Sequence, residues 1–268
     1  MKKVLSVLVL LSLLSAAAAA QGSANLRSAT QIAELISLRE KIASPDTRTR
    51  VDATHRVWVV GLTTPDPEIK LTALQLLAEP VASASDHIRM PAMYAIAEIA
   101  NSTTDIKIKT RALELLAEPL RAGQVPVRDV AVDVVNGIVN SADRNAIALA
   151  AVHALGEPVR SGNNGVRIPA INAIVNAVRG SHNEAAYLAA LDVLTVPLES
   201  NAMIGGMEVR MMAVVAVERI GVESSETAAK AKAMGILESY ASKGGWEPEA
   251  KRRAEEAVAS IENSMKKS

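Results

Sequence analysis

The stretch Leu115–Val135, LLAEPLRAGQVPVRDVAVDVV, decides how this chain is read. It holds the end of one apolar run at Leu-Ala-Glu-Pro, a turn, and the start of a second run at Val-Arg-x-x-Ala. The same frame recurs. Pro80, Pro119, Pro158 and Pro197 stand 39 residues apart, in LAEP, LAEP, LGEP and LTVP. Arg50, Arg89, Arg128 and Arg167 keep the same interval. Arg210 follows after 43, because extra residues surround Gly205-Gly206, and Lys251 takes the equivalent place in the last unit. Ala73, Ala112, Ala151 and Ala190 lie seven before each Pro, and Ala53, Ala92, Ala131, Ala170, Ala213 and Ala254 lie three after each Arg or Lys. Columns in phase over the whole chain are the signature of a repeat array.

Each unit contains two amphipathic helical patterns. The first, as in 106–120, places Ala112, Leu113 and Leu116 on one face. The second, as in 128–139, places Ala131, Val134, Val135 and Ile138 at i, i+3, i+4 and i+7. The recurring Pro lies near the end of the first helix and should kink or end it. Pro91 and Pro169 are expected near the start of the second helix, where a missing N–H is harmless. Six units follow, about 29–64, 65–103, 104–142, 143–181, 182–224 and 225–265. One helix pair cannot cover its own apolar face, so the units must stack. The fold class is all-α, a solenoid of about six helix pairs. Its terminal units read as caps: Thr54 and Arg56 replace apolar residues in the first, and Lys251, Arg252, Arg253, Glu255 and Glu256 charge the last.

Composition agrees. Hydrophobic residues make up 49% of 268, enough for a core, but there is no Phe and no Cys. Without Cys there is no disulfide scaffold, zinc–thiolate site or thiol nucleophile. Basic and acidic groups number 29 each, and neither sign supplies the excess that nucleic-acid phosphates demand. Residues 1–20 read as a secretory signal peptide: Lys2 and Lys3, then the apolar Val4–Leu14, then Ala18-Ala19-Ala20 as a cleavage pattern, with a second at Gly22-Ser23-Ala24. The expected organisation is signal peptide 1–20, linker 21–28, repeat domain 29–265 and tail 266–268. The expected location is periplasmic or secreted, with no membrane span after cleavage.

Paired helices of about forty residues whose second member opens on Val-Arg-x-x-Ala resemble HEAT-like (armadillo-type) repeats. The matching stretches are Val127–Ala131, Val166–Ala170 and Val209–Ala213, with Ile88–Ala92 close. The resemblance covers nearly all of the chain beyond the leader. It implies a protein-binding scaffold whose second helices line the concave surface, and in a few members an enzyme.

No reactive constellation stands out. His55, His87, His153 and His182 fall at four different repeat phases, which argues for surface residues and against a metal site. The column Glu79, Glu118, Glu157 reads as a solvated face, and the glycines of Gly162–Gly165, Gly205-Gly206 and Gly244-Gly245 as turn residues at positive φ. Neither a cofactor nor catalysis is expected. The column Arg50, Arg89, Arg128, Arg167, Arg210 reads as a structural ladder bridging neighbouring units, with Asp86 and Asp129 as candidate partners. The informative columns vary. Five after each Arg or Lys come His55, Tyr94, Asp133, Asn172, Val215 and Glu256. Nine after come Val59, Glu98, Gly137, Asn176, Arg219 and Ser260. Four apart, they share one helix face. A protein or peptide partner in the cell envelope is expected there, on Tyr94, Glu98, Asp133, Asn172, Asn176, Arg219 and His55. Trp246 is expected to cap the terminal helix. The alternatives are a HEAT-like enzyme acting on a small ligand and a self-assembling structural protein.

Overall fold

The computed structural model describes residues 26–160, 163–199, 206–243 and 248–267. The expected signal peptide and Trp246 lie outside the described residues. The described chain is helical and contains no strand. Helix α1 occupies 26–42. It is followed by α2 (Thr47–Thr63), α3 (Pro67–Val81), α4 (Asp86–Asn101), α5 (Ile106–Ala122), α6 (Val125–Asn140), α7 (Arg144–Arg160), α8 (Asn164–Val178), α9 (Glu184–Glu199), α10 (Gly206–Glu223), α11 (Thr227–Ser242) and α12 (Pro248–Lys267). These are the six helix pairs the repeat demands. Helical structure already covers 26–28, inside the stretch read as a linker.

Short polar turns start the helices. Asp46, Asp66, Asp105 and Asn163 each accept a backbone N–H two or three residues on, satisfying donors that the first turn leaves open. Pro80, Pro119, Pro158 and Pro197 are buried in the last turn of α3, α5, α7 and α9, which end one to three residues later. The prolines therefore stop these helices and also serve as core. Pro91 and Pro169 differ from expectation. Each is the sixth residue of its helix, where the N–H would have joined the ladder, so neither occupies the harmless first position. Pro67, Pro126 and Pro248 do lie in a first turn.

Packing follows two parallel rows. Even helices stack α2 on α4, α6, α8, α10 and α12 in order; odd helices stack α3 on α5, α7, α9 and α11. Each odd helix also packs on the even helix of its own unit. Among the described residues no helix from α2 to α12 touches one more than two places away, so each unit meets only its neighbours there. The two Ala columns lie at these contacts, each residue at most 2% exposed. Small side chains bring the backbones together, and the core is filled mainly by Leu, Ile and Val, with the ring of Tyr187 buried among them. Gly61 and Gly221 mark closer approaches. A methyl at Gly61 would meet Ile99 Cδ1 at 2.5 Å and Ala73 Cβ at 2.9 Å; one at Gly221 would meet Ile261 Cδ1 at 2.5 Å and Ala233 Cβ at 3.0 Å. Among described glycines only Gly180, at φ 66°, needs a positive φ; Gly165 lies inside α8.

Candidate functional site on the even-helix face

The face is built from the register of the even helices. Their apolar residues turn into the stack, and the positions five and nine after each Arg or Lys are left outside. His55, Tyr94, Asp133, Asn172 and Glu256 are exposed, one per even helix, with Val215 half-buried between them. Tyr94 keeps 51% of its surface in solvent. In the second column Glu98 and Arg219 are exposed, and Gly137, Asn176 and Ser260 half-buried. The structure thus sets all seven predicted strip residues on successive even helices.

The two columns differ in their bonds. Tyr94, Asp133 and Asn172 make no side-chain hydrogen bond or ion pair among the described residues. The second column ties the units together. Trp58 Nε1 donates to Glu98 Oε2 at 2.8 Å, and the Trp58 ring lies 5.0 Å from that of His55. Asn176 Nδ2 donates to Asn136 Oδ1 at 2.6 Å and to Asn140 Oδ1 at 2.9 Å. Ser141 Oγ donates to Asn101 Oδ1 at 2.6 Å, Arg179 pairs with Glu223 at 3.3 Å, and Arg253 pairs with Glu218. Glu223 also holds Arg219, at 3.2 Å. Every junction between neighbouring even helices carries one such polar tie. The asparagine cluster still leaves the Asn176 carbonyl oxygen and the NH2 groups of Asn136 and Asn140 without partners among the described residues. At its far end the face opens into a groove of about 340 Å³ between α10 and α12, lined by Val215, Glu218, Arg219, Val222, Glu223 and Ser260.

The Arg column acts differently from its expected role. Arg50 Nε donates to Ile42 O at 3.1 Å, Arg89 Nε to Ser83 O at 2.6 Å, and Arg167 Nη2 to Arg160 O at 3.2 Å. Each acceptor belongs to the end of the first helix in the same unit. These arginines cap carbonyls that a helix end leaves open, and favour the negative end of its dipole. They do not bridge neighbouring units. Asp86 lies 3.9 Å from Arg89, at the outer limit of an ion pair. Arg128 breaks the pattern: its Nε and Nη2 are buried without an acceptor among the described residues. Burial lowers its pKa, with Glu157 opposing.

Sequence reasoning missed a buried lysine column, of which Lys70 reaches directly into the preceding unit and Lys109 does so through Ser141. Lys70, Lys109 and Lys230 sit at one repeat position in the first turn of odd helices. Lys70 Nζ donates to Gly61 O at 2.9 Å and Ser102 Oγ at 2.7 Å, linking the ends of α2 and α4. Lys109, fully buried, donates to Ser141 O at 3.1 Å and Oγ at 2.8 Å, and Ser141 in turn reaches Asn101. Lys230 reaches Ser264 at 3.0 Å. Burial without a carboxylate partner pushes the Lys70 and Lys109 pKa values down. The signal available was the 39-residue spacing of Lys70 and Lys109 inside an apolar stripe. Trp58, half-buried on the even-helix face, was also passed over.

All four histidines are exposed, as expected of surface residues. No group of three or more His, Asp or Glu among the described residues is arranged to hold a metal ion. No described helix is long and apolar enough to cross a membrane.

Comparison with known proteins follows the geometry. No family model matches the chain, and no curated protein matches it. Solved structures do. A designed armadillo repeat protein in complex with the peptide (KR)4 is 23% identical, with 85% of this chain and 99% of that chain covered and a TM-score of 0.49. The archaeal HEAT-like repeats protein of Thermococcus onnurineus is 14% identical, covering 86% of this chain and 88% of that chain, at a TM-score of 0.46. An engineered protein is 19% identical, covering 86% and 97%, at 0.48. The helix order and packing of this chain make it an α-solenoid of stacked helix pairs.

Proposed function

We propose that this chain is a non-catalytic binding module of the bacterial cell envelope, exported by its N-terminal leader, that holds a protein or peptide partner on the even-helix face. The observation that carries the reading is the division of labour on that face. The second column and its neighbours spend their polar groups on ties between units, which fix the spacing of the helices. Tyr94, Asp133 and Asn172 spend nothing and stand in solvent on three consecutive even helices. A preformed face binds at a lower ordering cost than a flexible one. Tyr94 offers a large amphipathic contact surface with few rotatable bonds. Asp133, Asn172 and the outward groups of Asn136, Asn140 and Asn176 offer both donors and acceptors, which suits a peptide main chain. The mechanism is complementarity on a rigid surface, and the resemblance to HEAT-like repeats, whose second helices line the concave side, supports the choice of this face.

Affinity capture from cross-linked cell envelopes tests this, with the processed protein beside a variant carrying Tyr94→Ala, Asp133→Ala and Asn172→Ala. A partner held by the first and lost by the second supports the site. The same partner held equally by both moves the site off this face.

A further inference from the structure

The two ends of the odd-helix row differ at one repeat position. Gln75, Glu114, His153 and Asp192 occupy it in the inner units, and all four are polar and exposed. The first unit has Ile36 there, 68% exposed. One turn earlier on the same face Ile32 is 45% exposed, so Ile32 and Ile36 form a short apolar ridge in solvent on α1. The last unit has Gly235 at that position, and a methyl added to it would meet nothing within 4 Å. Gly235 lies in a groove of about 350 Å³ between α9 and α11, lined by Leu198, Ile236, Tyr240 and Lys232, the last held by Asp192 at 2.6 Å, with Glu199 and Lys243 at its rim. One end of the chain therefore projects isoleucine where the other end lacks a side chain.

We propose that the α9–α11 groove receives the α1 ridge of a second copy of this chain, with Ile36 seated over Gly235. A cavity of about 150 Å³ accommodates a benzene-sized group, so the groove has room for Ile36 together with Ile32. The rims complement each other. Exposed Arg39 and Glu40 flank Ile36 on α1, and the groove rim carries Lys243 beside Glu199 at 3.5 Å. The two pairs exchange partners across the contact, Glu40 to Lys243 and Arg39 to Glu199. A ridge at one end and a groove at the other make a heterologous contact, which propagates head to tail instead of closing a two-fold dimer. It leaves the even-helix face open.

Sedimentation velocity over a concentration series tests this, on protein purified after export so that N-terminal processing is the cell's own. The wild type should form a concentration-dependent ladder of species. Ile36→Glu, which removes the ridge, and Gly235→Leu, which fills the groove, should each weaken association by about tenfold or more. Both positions are on the helix surface, and circular dichroism checks that each variant is folded. A mixture of the two variants should yield a 1:1 dimer that goes no further, since one retains a groove and the other a ridge. A wild type that stays monomeric at the highest attainable concentration overturns the proposal. So does wild-type association by Gly235→Leu, which indicates pairing between α1 ridges, or a mixture that fails to dimerise.

Discussion

A guanidinium is only as useful as the carbonyl it finds. Arg50, Arg89 and Arg167 each find one at the end of the helix before them. Arg128 does not. Its helix α5 runs three residues past Pro119, to Ala122, whereas α3 stops one residue past Pro80, so the two first helices end at different distances from their arginines. Sequence showed the column but not the acceptors, because they depend on where each first helix stops. Two substitutions separate the cases. Arg89→Met should cost about 1–2 kcal/mol, since it uncovers a bonded carbonyl. Arg128→Met should be neutral or stabilising, because it removes a half-buried guanidinium whose Nε and Nη2 find no acceptor among the described residues. Urea unfolding of both variants checks the contrast, and equal losses would refute it.

The lysine column carries a pH signature. Lys109 has its pKa lowered in the fold by desolvation, whereas the unfolded chain titrates near 10.4. Between those two values the unfolded chain binds more protons, so stability rises with pH. The contribution is complete above the ordinary lysine pKa and is lost as pH falls through the folded one. The stability of the wild type relative to Lys109→Met should therefore climb through the alkaline range and flatten near pH 10.4. Tyr187, whose phenol is pushed up by burial, acts the opposite way above about pH 10. It is present in both proteins and cancels from the difference. A flat difference would mean that Lys109 is solvated in the folded chain.

At the scale of the helix, much was legible. The unit boundaries, the Ala contacts and the terminating prolines all follow from phase, because periodicity reports which side of a helix is buried. Proline at 91 and 169 was misplaced because the true helix starts lie in the polar turns Ser85 and Asn163, several residues before the apolar pattern begins. Close approaches set the tolerance of the stack. Ala131→Leu should overpack the junction of α6 and cost about 1–3 kcal/mol. Gly221→Ala sits against Ile261 and Ala233, so its overpacking opposes the roughly 1 kcal/mol that alanine gains over glycine in a helix. Thermal melts of the two variants should show Ala131→Leu clearly destabilised and Gly221→Ala close to or below wild type. A clear gain in either would mean that these contacts have slack.

The whole molecule is a row of units, each resting on its neighbours. Such a row has a continuous even-helix face, and every junction between even helices adds polar ties to its apolar packing. The exposed strip was legible from sequence, since variable columns four apart on a helix must share a face. The ties beneath it were not. Trp58 to Glu98 spans 40 positions, and Asn176 reaches back 40 to Asn136 and 36 to Asn140, pairs that only the stacking brings together. The same geometry divides the surface into two rows that a partner can distinguish. Photo-cross-linking in the living cell reads that division most directly. A photoreactive residue is placed at Tyr94 or Asn172 on the even helices, and at Gln75 or His153 on the odd helices of the same units. The account predicts a discrete adduct from positions 94 and 172 and none of that size from 75 and 153. An adduct formed only from the odd-helix positions would contradict it.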